Sequence, residues 1–236
     1  MTEDFLANLG NCGDMPEFRP QLASKICLLA LKFDEDPKWQ IETLVEILSM
    51  RSIDVSEETR NEFCQIVEKN VELHSFPLEL LYSSLELHPT NEPLIIAGLY
   101  LFGELGHLLE KKPILELLET VATSSNFWVV DFDSPEVRQT CEHGQISTRI
   151  IQSLLNTMIK LSVRLPHQVD SIKKFLSRYV HHVNEDVQQR ACEYLSFLDD
   201  SWIEARQLVF CRTAATAPAV FERKKDLLDL DDLLEN

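Results

Sequence analysis

The stretch that decides the fold is NEPLIIAGLYLFGELGHLL, residues 91–109. It is apolar around its whole circumference and is almost as long as the ~20 residues that cross a bilayer as a helix. Glu104 and His107 interrupt it with ionisable side chains. It also contains three glycines, which suit the close approach of neighbouring helices: Gly98, Gly103 and Gly106. We therefore predict a helix buried between other helices, not a membrane span.

Segments on both sides of residues 91–109 also show apolar residues at helical spacing. Apolar residues recur at steps of three and four from Leu22 through Ile26 and Leu29 onwards. Further segments of this kind lie at residues 41–48, 63–71, 78–85, 114–122, 146–165, 169–180, 187–198 and 202–211. Short turns separate them, and no strand pattern intervenes. The sequence predicts an all-α fold, an α-solenoid of HEAT/armadillo-like helix pairs, in which each pair buries its face on the next.

The helical spacing of apolar residues is absent at both ends of the chain and once within it, and these places divide the chain into the expected segments. Residues 1–20 are expected to be a flexible leader, and residues 21–212 the helical segment. Within it, residues 126–145 lack the pattern and are interpreted as a surface insertion. Residues 213–236 form an acidic, Leu-rich tail that we expect to be disordered, because it cannot bury enough surface to fix its backbone.

The charge, the cysteines and the apolar runs of the chain limit the partners and the cellular setting that we expect for it. The formal net charge of -17 argues against nucleic acid as a partner, because phosphates require Lys and Arg. The six cysteines show no Cys-x-x-Cys spacing and the chain starts without a signal peptide, so we expect a reducing, cytoplasmic setting. No apolar run other than residues 91–109 approaches the length of a membrane span, so membrane contact is expected to be peripheral.

Catalytic and metal-binding motifs are absent from the sequence. It has no dinucleotide fingerprint, P-loop, nucleophile elbow or zinc-protease motif. Cys141 and His143 supply only half of a zinc site, and His181 and His182 are interpreted as residues at a helix end. We assign no catalytic, cofactor-binding or metal-ligating residues and expect a protein that is not an enzyme and needs no cofactor.

The tail carries a pattern for binding another protein: Leu, bulky apolar residue, any residue, bulky apolar residue, acid. It is met by Leu227, Leu228, Leu230 and Asp231. This is the clathrin-box pattern, in which an extended peptide places apolar side chains in pockets while acids meet a basic rim. The clathrin heavy chain is therefore a candidate partner.

Two alternative interpretations of the tail remain open. Asp229, Leu233 and Leu234 also fit the looser acidic dileucine sorting pattern, an acid four residues before a Leu-Leu pair. The other alternative is structural: leucines at 227, 230, 233 and 234 have helical spacing and would form a short amphipathic helix that closes the last repeat.

Several segments together resemble a known family. They are LASKICLLALKFDEDPKWQIETLVEIL at 22–48, VEKNVELHSFPLELLYSSL at 67–85, GELGHLL at 103–109 and MIKLSVRLPHQVDSIKKFLSRYVHHVNEDVQQRACEYL at 158–195. In this order they resemble the C-terminal half of the trunk of the gamma type of adaptin, the large subunits of clathrin adaptor complexes. Residues 126–145 look inserted relative to that family.

The resemblance implies a scaffold within a heterotetrameric clathrin adaptor, with beta, medium and small chains as partners. It implies transport between the trans-Golgi network and endosomes, with a cytoplasmic protein held peripherally on those membranes and on coated vesicles. An adaptin of the epsilon or alpha type is a near alternative. An unrelated helical-repeat scaffold, such as a transport receptor or kinase-complex scaffold, is a second one, and an enzyme is a third.

The helix at 187–198 yields a first test of the fold. Its spacing predicts an interior face made of Val187, Ala191, Tyr194, Leu195 and Leu198. Replacing Leu195 with Asp places a charge against that interior, so we expect a loss of several kcal/mol of unfolding free energy. Thermal unfolding followed by circular dichroism measures the effect. An unchanged Tm would contradict the assignment of Leu195 to this face.

Overall fold

The computed structural model describes residues 18–32, 36–50, 55–109, 112–124 and 141–210. Most of the predicted leader (1–20), residues 126–140 of the predicted insertion and the whole tail (213–236) lie outside these residues. Those three assignments stay predictions.

The described residues form ten α-helices and contain no strand, so the all-α prediction is confirmed for them. The helices are α1 (Phe18–Lys32), α2 (Pro37–Ser49), α3 (Glu57–Lys69), α4 (Ser75–Leu87), α5 (Glu92–Leu105), α6 (Ile114–Ser124), α7 (Cys141–Arg164), α8 (Val169–Ser177), α9 (Glu185–Phe197) and α10 (Ile203–Phe210). Single 3-10 turns at Val71–Leu73, Gly106–Leu108, Pro166–Gln168 and Asp200–Trp202 join some of them.

The helices stack in two layers, as expected for a solenoid. One layer contains α3, α5, α7 and α9, each packed against the next. The second layer contains α2, α4 and α6. Helix α4 packs against α5 of the first layer, and α6 packs against α7. Helix α1 lies against α2 at one end, while α10 contacts α7 and α9 at the other. One continuous apolar core runs between the layers.

Local capping fixes where several helices begin. Ser56 accepts a hydrogen bond from the backbone N–H of Thr59, and Asn184 accepts one from the backbone N–H of Val187, as is typical of these residue types at a helix start. Asp36 caps α2, where Pro37 takes the first helical position. Ser75 is also of a residue type that caps helices, but it does not cap α4. Ser75 is the first residue of α4, because the preceding 3-10 turn runs directly into the helix.

Helix α5 is buried as predicted: ten of its fourteen residues have little or no exposure. Its glycines permit close helix packing. A Cβ at Gly98 would lie 2.7 Å from the Leu85 side chain of α4. A Cβ at Gly103 would lie 3.5 Å from the backbone of Thr157 in α7. Helix α5 thereby contacts both layers at short range.

Several predicted helix boundaries differ from the structure. Helix α7 begins at Cys141, five residues before the expected start at Ile146, and α1 begins at Phe18. Apolar periodicity detects only the part of a helix that packs, whereas a nucleated helix extends through polar residues by adding one hydrogen bond per residue. The last helix begins at Ile203, one residue after the predicted start at Trp202, because Asp199 caps a separate 3-10 turn at Asp200–Trp202 through the backbone N–H of Ser201.

The predicted interior face of α9 is confirmed in its main positions. Val187, Ala191 and Leu198 are buried, while Tyr194 and Leu195 are partly buried against the core. Among the cysteines, Cys27 is buried and Cys64 is partly buried. Burial raises the pKa of Cys27 to about 11 and that of Cys64 to about 12, so both are protonated at neutral pH.

Candidate interaction surfaces

The predicted binding residues of the tail lie outside the described residues. This applies to the candidate clathrin box (Leu227, Leu228, Leu230 and Asp231) and to the candidate dileucine pattern (Asp229, Leu233 and Leu234). These assignments stay predictions.

A line of polar contacts crosses the layer made of α3, α5 and α7. Tyr100 of α5 donates a hydrogen bond of 2.8 Å to the carboxylate of Glu68 in α3. Lys160 of α7 places its ammonium 5.3 Å from the centre of the Tyr100 ring, within cation–π range. The phenol pKa of Tyr100 is raised by burial and then by the hydrogen bond to Glu68, so the hydroxyl stays a donor.

The strongest polar contact in this layer centres on Glu104 in α5. Its two carboxylate oxygens meet Lys160 Nζ at 2.5 Å and Arg164 Nη2 at 2.7 Å. Arg164 Nε also donates to the backbone carbonyl of Glu104 at 2.7 Å. The side chains of Glu104 and Arg164 are each only 10% exposed. This largely buried ion triad joins α5 to α7 with a fixed geometry.

A second polar cluster joins α7 to α9. The side-chain oxygen of Asn156 accepts hydrogen bonds from Arg190 at 2.9 Å and from the Tyr194 hydroxyl at 2.6 Å. On the α5 side of α7, the Thr157 hydroxyl donates to the carbonyl oxygen of Leu99 at 2.8 Å. Helix α7 is therefore held by directed polar contacts to both of its neighbours in the layer.

These polar groups stabilise helix packing and form no catalytic arrangement. Both Glu104 oxygens are engaged by cations, one by Lys160 and one by Arg164, so the carboxylate is tied into the packing of α5 against α7. Asn156 carries no ionisable proton, and the Tyr100 phenol stays protonated.

The remaining histidine and cysteine candidates are also placed. His181 is exposed in the turn after α8, and the His182 ring nitrogen accepts a hydrogen bond from the Asn184 backbone. Burial lowers the pKa of His182, so its ring is neutral at pH 7. Cys141 and His143 lie in the first turns of α7, where only the backbone is described.

Within residues 18–32, 36–50, 55–109, 112–124 and 141–210, no group of three or more His, Cys, Asp or Glu side chains is arranged to hold a metal ion. No helix in these same ranges is both long and apolar enough to cross a bilayer.

The ion triad was missed in the sequence analysis, although a signal for it exists. Glu104 lies in the apolar body of α5, far from Glu92 at the start of that helix, and a buried carboxylate there requires a cationic partner. Lys160 and Arg164 are four residues apart on the longest helix and therefore share one face. Pairing the isolated acid with that basic pair would have predicted the contact between α5 and α7.

The architecture is that of a helical-repeat scaffold. A model of the family described as "Adaptin N terminal region" matches residues 6–201 of this chain, which is most of its length. The chain therefore belongs to the adaptin family.

Curated relatives agree with this family and with the gamma type. The chain is 27% identical over 187 residues to the AP-1 complex subunit gamma of Dictyostelium discoideum, an alignment that covers 78% of this chain and 20% of the relative. It is 27% identical over 207 residues to the AP-1 complex subunit gamma-like 2 of Mus musculus, covering 82% and 24%. It is also 29% identical over 177 residues to the AP-2 complex subunit alpha of Schizosaccharomyces pombe, covering 75% and 18%.

The resemblance to gamma-adaptin is thus confirmed, while the alpha relative shows that the match is shared across adaptin types. The chain spans about a fifth to a quarter of the length of these relatives.

The ion triad gives a stability test with a matched control. Replacing Glu104 with Ala leaves Lys160 and Arg164 without their carboxylate, and we expect a loss of about 3 kcal/mol of unfolding free energy. Glu119 pairs with Arg178 at 3.1 Å, but their side chains are 46% and 32% exposed. Replacing Glu119 with Ala should therefore cost less than about 1 kcal/mol.

Urea unfolding of both variants measures this difference through the transition midpoint. Equal losses for the two variants would show that the triad does not hold α5 against α7.

Proposed function

We propose that this chain is a non-enzymatic scaffold segment of a large subunit in a heterotetrameric clathrin adaptor. The observation that carries the proposal is the adaptin match over residues 6–201, which coincides with the two-layered helical stack of residues 18–210. A solenoid presents long surfaces to other chains, and its rigidity comes from packing between successive helices. Both properties suit a subunit that holds other subunits in place.

The proposed partners are the beta, medium and small chains of the complex. The relatives are described as AP-1 and AP-2 complex subunits, and this supports assembly with further adaptor chains. For the gamma type we propose a role in transport between the trans-Golgi network and endosomes. The protein would be cytoplasmic and peripheral on those membranes through the complex.

A second candidate is a scaffold of the alpha type, in an AP-2-like complex. It is favoured by the 29% identity to the AP-2 complex subunit alpha, slightly above the 27% identity to the gamma relative. The two candidates differ in the companions of the chain and share the same fold and the same mode of action.

Affinity purification of the tagged chain from its own cells, followed by mass spectrometry, tests both candidates. We expect the small, medium and beta chains of one adaptor complex, and their type decides between AP-1 and AP-2. The Glu104→Ala variant is a useful companion, because loosening the contact between α5 and α7 should reduce recovery of those chains. Purification without any adaptor chain, from cells that contain the complex, would contradict the proposal.

The tail is proposed to bind the terminal domain of the clathrin heavy chain. Leu227, Leu228 and Leu230 would fill apolar pockets, and Asp231 would meet a basic rim. A segment this short makes few contacts and has to be ordered on binding, so its Kd should be micromolar or weaker, about -8 kcal/mol at most. Many adaptors facing many clathrin legs would supply the avidity.

Pull-down of clathrin by a peptide of residues 224–236 measures this interaction. The control peptide has Leu227, Leu228 and Leu230 replaced by Ala and keeps every charge. We expect clathrin on the first peptide and at least ten-fold less on the control. Equal recovery on the two peptides would show that charge alone attracts clathrin, and recovery on neither would leave the tail to its dileucine or helix-closing alternatives.

A further inference from the structure

Helix α1 presents an exposed stripe that combines leucines with lysines. Leu28 and Leu29 are 56% and 46% exposed, and Lys25 and Lys32 are exposed on either side of them. Spacings of three and four residues place Lys25, Leu28, Leu29 and Lys32 on the same side of the helix. We name these four residues the α1 stripe.

The opposite side of α1 already has its partner. Ala23, Ile26, Cys27 and Ala30 are buried, and this face packs against α2. The α1 stripe is therefore a second apolar face and not the edge of the first. No ion pair joins Lys25 or Lys32 to another residue in the part of the chain that the structure describes.

The charge of α1 differs from that of the whole chain. The helix contains Arg19, Lys25 and Lys32 and no acid, whereas the chain carries 39 acidic against 22 basic residues. An exposed pair of leucines between two lysines selects for a segment with apolar side chains and negative charge.

The sequence of the tail has this chemistry. Residues 226–236, DLLDLDDLLEN, contain five leucines, five acids and no basic residue. Two leucines could meet Leu28 and Leu29, while flanking carboxylates meet Lys25 and Lys32. Residues 1–17 also contain acids and apolar residues, but they are less dense in both.

We propose that the α1 stripe binds the acidic, Leu-rich tail, residues 226–236, of a second copy of this chain. Charge complementarity and the matched leucines support this occupant. The contact is independent of the proposed clathrin adaptor function, although it uses the same leucines as the candidate clathrin box.

The reach of the linker favours a second copy over the same chain. Helices α1 and α10 lie at opposite ends of the stack, about four helix spacings apart, or ~40 Å at ~10 Å per spacing. The segment of residues 211–225 that would link α10 to the tail has fifteen residues, and covalent geometry limits its reach to ~50 Å. Contact within one chain would therefore need a nearly stretched linker, which lowers its effective concentration.

Such a contact has two consequences. It joins different surfaces of the two copies, so it is heterologous and allows a chain of copies to form. It also covers Leu227, Leu228 and Leu230 in the associated state, so self-association and any ligand of those leucines would compete.

Sedimentation velocity of the full chain over a concentration series from 5 to about 500 µM tests the proposal, since contacts of this size have micromolar or weaker Kd values. We expect the weight-average mass to rise with concentration and to fall back on adding salt. Lys25→Glu with Lys32→Glu should weaken association at least ten-fold. The matched control, Lys173→Glu with Lys174→Glu on α8, makes the same change of charge away from the stripe and should associate like the parent chain.

A charge exchange identifies the occupant. Changing Asp229, Asp231 and Asp232 to Lys should also abolish association, and mixing this variant with the Lys25→Glu, Lys32→Glu variant should restore it. Circular dichroism spectra and Tm values like those of the parent chain show that each variant is folded.

Three results would overturn the inference. The first is a parent chain that stays monomeric throughout the series. The second is association that the tail variant leaves unchanged, because another acidic segment would then occupy the stripe. The third is a monomer in which the tail is cross-linked to α1 of the same chain, because the second copy would then be excluded.

Discussion

The packing of α5 against α7 is the contact on which the rest of the stack depends. Helix α5 touches α2, α3, α4 and α7, and ten of its residues are buried. A Cβ at Gly103 would meet the Thr157 Cα of α7 at 3.5 Å, an ordinary van der Waals contact, so the two backbones already lie close together there. Because α7 in turn carries α8, α9 and α10, a shift at this contact would move the whole C-terminal part of the solenoid.

An ion triad at such a contact fixes how the two helices are aligned more than it raises the free energy of unfolding. Burying charges costs solvation free energy, and a well-packed apolar replacement often stabilises as much. Apolar contacts between two helices, however, tolerate sliding along their axes. The paired contacts of Glu104 with Lys160 and Arg164 select one register, and the hydrogen bond from Thr157 to the Leu99 carbonyl selects the same one. A scaffold needs a defined shape, so this specificity matches the proposed role.

The sequence predicted those features of the fold that depend on residues within one helix. The burial of α5, the caps at Ser56 and Asn184 and the interior face of α9 all follow from local periodicity and capping chemistry. It failed where the cause lies in another element or in polar residues. Glu104 is explained only by cations 56 and 60 residues later, and the start of α7 lies in a polar stretch with no apolar pattern. The tail carries a short motif whose leucines fit both an extended and a helical peptide, so sequence alone leaves its conformation open.

The distribution of charge bears on the proposed contact between α1 and the tail. A net charge of -17 keeps such chains apart in solution, since like-charged molecules repel at ranges near the Debye length of about 10 Å at 0.1 M salt. Against that background a helix with basic and no acidic residues, α1, is a favourable place for the acidic residues of another copy to bind. The attraction is local, the apolar contact between leucines is short-ranged, and neither suffices alone. An interaction of this kind is therefore weak, and the fraction of associated molecules depends on their concentration. Molecules held close together on a membrane would associate where the same molecules free in solution would not.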